Sequence, residues 1–170
     1  MSKKYRTTLL QNGLTVLILL VLLHLPRSAF SQQAAPDLCK RGWEKQAHGD
    51  LNGAIADYNQ AIKLNPKDAT AYSHRALAKL YKNDPAGAIA DCNQAIALNP
   101  KDADTYNSRG VAKASKGDLD GAIADYTKAI ALNPKLAVAF VNRGNARKAK
   151  GQAAGASMDF IQAEKLKGHP

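Results

Sequence analysis

The sequence predicts an all-α fold, a solenoid of stacked antiparallel helix pairs behind an N-terminal apolar segment. Three observations predict it. Leu-Asn-Pro recurs with prolines at Pro66, Pro100 and Pro134, a period of 34 residues. Each copy closes a stretch that contains Gly-Ala-Ile-Ala-Asp. With the proline counted as position 32, residues 35–68, 69–102, 103–136 and 137–170 align without a gap. A period of that length marks a two-helix unit that buries its apolar face only against its neighbours. The first expectation is therefore a binding scaffold.

The chain opens with a segment that must be set apart before composition is used. Lys3, Lys4 and Arg6 form a basic start, Leu14 to Leu25 is almost wholly apolar, and Ser28-Ala29-Phe30-Ser31 offers small residues for a cut after Ser31. Residues 1–31 read as a signal peptide, 32–34 as a short linker and 35–170 as the repeat domain. An uncleaved membrane anchor is the alternative. Its apolar run, counted back to Leu9, is interrupted by Gln11, Asn12 and His24, and a spanning helix wants about 20 apolar residues. The first reading places the protein in a periplasm or outside the cell; the second tethers it to a membrane, facing the periplasm. The whole chain has 24 basic and 14 acidic side chains. Without residues 1–31, which hold four basic and no acidic ones, 20 face 14, a mild net charge of +6. That balance favours acidic partners or anionic surfaces but is far from a nucleic-acid arm.

Within each unit the small residues come first. Position 8 is Gly42, Ala76, Gly110 and Gly144; position 20 is Ala54, Ala88, Ala122 and Ala156; position 27 is Ala61, Ala95, Ala129 and Ala163. Such residues let two antiparallel helices approach closely, and Tyr58, Cys92, Tyr126 and Phe160 at position 24 fill the remaining gap. Asp50, Asp84 and Asp118 stand where a carboxylate caps the second helix, preceded in two units by Gly49 and Gly117, with Gly151 at the same place in the fourth. Pro66, Pro100 and Pro134 end each second helix. Isoleucines 55 and 62, 89 and 96, 123 and 130 form a flank expected to pack on the following unit. Ser157 and Glu164 replace them in the fourth unit, and Asp37 and Glu44 mark the opposite flank of the first. Both ends are thus expected to face water.

These positions, with Tyr72, Tyr106 and Phe140 at position 4, resemble the tetratricopeptide repeat family across the whole domain. The resemblance implies a right-handed superhelix with a concave groove lined by the first helices, and a protein or extended peptide as partner. On the family's groove positions this chain carries Trp43, Ser73, Leu77, Leu80, Tyr81, Asn107, Val111, Val141, Asn145 and Lys148. The expected surface is an apolar patch around Trp43, Leu77, Leu80, Tyr81 and Val111, with amide and basic groups beyond it. Lysines that hold a terminal carboxylate in some members are missing from position 5, so an apolar or mixed peptide is expected rather than an acidic tail.

One departure stands out. Position 7, usually apolar in the family, is Arg41, Arg75, Arg109 and Arg143, and position 23 is Asp57, Asp91, Asp125 and Asp159. Helical geometry directs each arginine towards the second helix of its unit, so a structural arginine-aspartate pair is expected in each. Positions 11 and 14 add Lys45, Lys79, Lys82, Lys113, Lys116, Arg147 and Lys150, read as a basic rim near the turns.

No catalytic residue, metal-ligand spacing, phosphate loop or cofactor motif is visible, and Cys39 and Cys92 stand on helices too far apart to bridge. The sequence points to an exported, non-enzymatic interaction scaffold, without nucleic-acid or small-molecule substrate. The alternative is a structural component of a cell-envelope assembly, docked through the basic rim or the convex face. A membrane enters only if the first segment stays uncleaved.

Overall fold

The computed structural model describes residues 27–168, with side chains from residue 34 onward. Residues 1–26 of the expected signal segment lie outside the described residues. Among the described residues eight helices follow one another: α1 Arg27–Ala47, α2 Leu51–Leu64, α3 Ala69–Tyr81, α4 Pro85–Leu98, α5 Ala103–Ser115, α6 Leu119–Leu132, α7 Ala137–Ala149 and α8 Ala153–Lys167. There is no strand among the described residues. Residues 32–34, expected as a linker, are instead helical within α1. Among the described residues no helix is long and apolar enough to cross a membrane.

Each boundary has a local cause. Asp50, Asp84 and Asp118 accept hydrogen bonds from the amides of Gly53, Gly87 and Gly121 at 2.8, 2.8 and 2.9 Å, satisfying donors that a helix start leaves free. Asp68 and Asp102 do the same for α3 and α5. The fourth unit has no such side-chain cap, because Leu136 and Gln152 occupy the positions. In the tight turn between paired helices Gly49, Gly117 and Gly151 have φ of 83°, 84° and 76°, and Asn83 takes the same left-handed place at 59°. Between units, Asn65, Asn99 and Asn133 accept from the amides of Lys67, Lys101 and Lys135, folding the chain over the proline that ends the helix.

Packing gives the solenoid its two sides. Each helix packs on the next along the chain, and α1, α3, α5 and α7 also touch in succession, whereas the second helices of successive units do not meet. The first helices therefore form the crowded inner layer and the second helices splay outside, which makes the inner layer concave. Alanine dominates the core: Ala54, Ala76, Ala88, Ala112 and Ala122 are fully buried. Ala54 and Tyr58 pack with Ala78 of the next unit, and Ala122 and Tyr126 with Ala146 of the next, so one alanine-lined junction repeats along the chain. Ile96 packs against the cluster that contains Tyr106, as the isoleucine flank anticipates.

Candidate protein-binding groove

The charged frame behind the groove is built from the aspartates at position 23, all nearly buried. Arg41, Arg75, Arg109 and Arg143 reach Asp57, Asp91, Asp125 and Asp159 through Nη2 at 2.6, 2.6, 2.7 and 2.7 Å. In every unit Nε also donates to the same carboxylate, so the guanidinium grips both of its oxygens. The basic rim differs from expectation. Lys45, Lys79, Lys113 and Arg147 turn inward and hold the second oxygen of those aspartates at 2.9, 2.8, 2.8 and 2.8 Å. The cause is spacing: positions 7 and 11 are one helical turn apart and share a face. Lys82 bonds Asn52, and Lys150 bonds Asp120, each in the preceding unit. Of the expected rim, Lys116 alone has no such partner among the described residues.

A link between units also went unread in the sequence. Arg75, Arg109 and Arg143 donate Nη1 to Asn59, Asn93 and Thr127 of the preceding unit at 2.7, 2.8 and 3.1 Å. Among the described residues no unit precedes that of Arg41, and its side chain is 57% exposed against 17, 19 and 12% for the others. Beside Asp57, the Arg41 hydrogen bond, opposed by burial and helped by Lys45, holds the carboxyl down at about 2.

Two clefts lie along the inner layer. The first, about 450 Å³, is lined by Trp43 of α1, by Thr70, Ser73, His74 and Leu77 of α3, and by Asp102, Asp104, Asn107 and Ser108 at the start of α5. The second, about 270 Å³, is lined by Val111, Ala114, Ser115, Asn142, Asn145, Ala146 and Ala149, with Leu119 and Tyr126 behind. One is polar and acidic; the other has no charged side chain. Trp43, about half exposed, also borders a third cavity of about 300 Å³ with Cys39, Lys40 and His74. The His74 ring lies 5.3 Å from the Trp43 ring and 5.8 Å from that of Tyr58. Its Nδ1 is buried without a hydrogen-bond partner, and burial lowers its pKa, with Asp68 and Asp102 opposing. Both thiols are free; burial pushes Cys39 and Cys92 up to about 12, which keeps them protonated and poorly nucleophilic.

The expected groove residues separate into three groups. Trp43, Ser73, Leu77 and Asn107 line the first cleft, and Val111 and Asn145 the second. Leu80 instead packs on the core cluster of Ala76, Ala88, Cys92 and Ala112. Tyr81, Val141 and Lys148 line neither cleft, Tyr81 because it sits at the exposed last turn of α3. The single apolar patch expected around Trp43 is thus divided, and its Trp43 end is acidic. His74, Ser108 and Asn142 at position 6 and the cap Asp102 were not anticipated. The signal was available in part: position 6 lies one residue from position 5 and one turn from position 9, on the same face.

The chain matches the family model described as TPR repeat over residues 47–84 and 112–151, and the one described as tetratricopeptide repeat over 69–102. No curated protein matches it in sequence. Among solved structures it is similar to that of MamA, with a TM-score of 0.73 and 30% identity over 78% of each chain. It is also similar to the TPR domain of Arabidopsis OM64, with a TM-score of 0.68 and 31% identity over 69% of this chain and 98% of that one. A third is the first TPR of Spaghetti (RPAP3) bound to the HSP90 peptide SRMEEVD, with a TM-score of 0.69 and 28% identity over 70% of this chain and 94% of that one. Repeat period, helix-pair packing, family models and structural neighbours agree, and the chain belongs to the tetratricopeptide repeat family.

Proposed function

We propose that this protein is an interaction adaptor that holds an extended segment of a protein partner in its concave face. The observation that carries the reading is the pair of clefts on the inner layer, with half-exposed Trp43 at the mouth of the first. An aromatic side chain left partly open beside a cleft is a natural anchor. A structural neighbour bound to a peptide supports the class of partner. In this reading the first segment serves export, so the adaptor works in a periplasm or beyond it.

Trp43 is the only tryptophan, so its fluorescence reports on the groove directly. Crosslinking capture from the exported fraction, with wild type and Trp43→Ala of equal helicity, is expected to lose its main partner in the variant. Addition of that partner should shift the Trp43 emission of the wild type. Partners captured equally by both would overturn the groove reading. The mass of the processed chain tests export: a product beginning near residue 32 is expected, and an intact N-terminus would favour the anchor.

Docking into a larger envelope assembly is the second reading. With four rim cations spent on buried carboxylates, it is favoured instead by Met158 and Ile161, exposed one turn apart on α8. Charge placed at both positions should then abolish assembly while Trp43→Ala leaves it intact.

A further inference from the structure

We infer that the first cleft reads a single positively charged residue of the bound segment, a lysine or arginine flanked by apolar residues. The inference rests on the groove reading above and names the chemistry of its occupant.

The argument begins with charge. Carboxylates elsewhere in the frame are doubly compensated: each aspartate at position 23 has two cationic partners. Asp102 and Asp104 line the first cleft, and among the described residues neither has a cation within salt-bridge distance. Asp102 is partly buried and accepts from the Asp104 amide at 3.1 Å and from the Thr105 hydroxyl, bonds that orient the carboxylate without neutralising it. No lysine or arginine lines the cleft; Lys40 borders the separate cavity that shares Trp43 and His74. A pair of carboxylates without cationic partners in a concave site, Asp102 half-buried and Asp104 exposed, attracts a cation more strongly than the same pair on an open surface.

The second component is Trp43. Indole is the strongest of the aromatic rings for a cation placed over its face, and the half-exposed ring borders the same cleft as the carboxylates. His74 packs against this ring, and burial disfavours its charged form, with Asp68 and Asp102 opposing. Aromatic face and carboxylates together fit an ammonium or guanidinium whose aliphatic stem lies along Leu77. Without residues 1–31 the chain still carries +6, which opposes a strongly basic tract and favours a single charge in the segment. The uncharged second cleft takes the apolar flank. The site is opposite in sign to what the peptide SRMEEVD, with its three acidic residues, would meet favourably.

An array of acetylated, amidated hexapeptides randomised at every position, read with the full chain, tests the assignment. Lysine or arginine should be enriched about tenfold at one position, the ratio that one well-placed charge contact supplies. Asp102→Asn with Asp104→Asn keeps the cap, since asparagine caps as well as aspartate. It should bring that enrichment to about twofold or less while leaving apolar preferences in place. A cation preference unchanged by the double variant overturns the assignment to Asp102 and Asp104. A Trp43-dependent motif with no cation preference overturns this inference but leaves the groove reading standing. If no motif depends on Trp43, both fall.

Discussion

Units two and three fold alike and fill the space between their helices differently. In unit three Gly110 faces Tyr126, and a Cβ on the glycine would lie 2.6 Å from Tyr126 Cε1, inside any tolerable contact. Gly42 with Tyr58, and Gly144 with Phe160, repeat the arrangement at 2.7 and 2.6 Å. In unit two the glycine has become Ala76 and the aromatic ring Cys92, both fully buried. Methyl, thiol and the side chain of Leu80, which packs on the same cluster, together fill what the ring fills elsewhere. What the frame requires is a total volume across one helix-helix contact, not a residue at one position, as expected of an interior packed to crystal density.

Both units keep the charged frame unchanged, so its loss should produce the largest effect and the same one in each. Asp91→Ala and Asp125→Ala strand two cations apiece beside a buried site, and each should cost about 3 kcal/mol in denaturant unfolding. Unequal losses would show that the repeats do not share one frame. Gly110→Ala should cost about 1–2 kcal/mol by overpacking against Tyr126. In a Tyr126→Cys background the same change should stabilise, because the ring is gone and alanine favours helix over glycine by about 1 kcal/mol. A change of equal sign in both backgrounds would break the volume argument. Asn83→Gly, which gives unit two the glycine that unit three has in its turn, should stabilise by a few tenths of a kcal/mol by relieving a left-handed residue, measurable as a small rise in Tm.

The pH-dependent effect concerns the first unit, whose arginine is open to water. Asp57 has a folded pKa of about 2 against an ordinary value of 3.8. A depressed carboxyl contributes stability that is complete above pH 3.8 and is lost as pH falls towards 2. Stability measured across that window should decline in wild type and decline less in Asp57→Asn.

Particular residues show why some of the site was legible and some not. The arginine at position 7 and the aspartate at 23 are legible as a pair because both recur in every unit and both oppose the apolar pattern. Lys79 and Lys113 recur too, but a lysine at a helix end fits a solvated rim equally well, and only the direction of the side chain decides. Asn59 and Asn93 look like ordinary exposed helix residues; their bond to the next unit's arginine depends on how the units stack. Asp102 reads as a cap, which it is, and its second part in the first cleft follows from the curvature that brings Trp43, His74 and Asp104 to one concavity.

From the sequence alone came the period, the helix pairs, the turn and cap residues and the isoleucine flank between units. All of these are set by contacts within one unit or between equivalent positions of neighbouring units, and such contacts repeat with the sequence. The tertiary structure decided which cations are spent on the frame, which aromatic stays open and where uncompensated carboxylates gather. Those depend on the angle at which one unit meets the next, a sum of many small packing terms that no single residue carries.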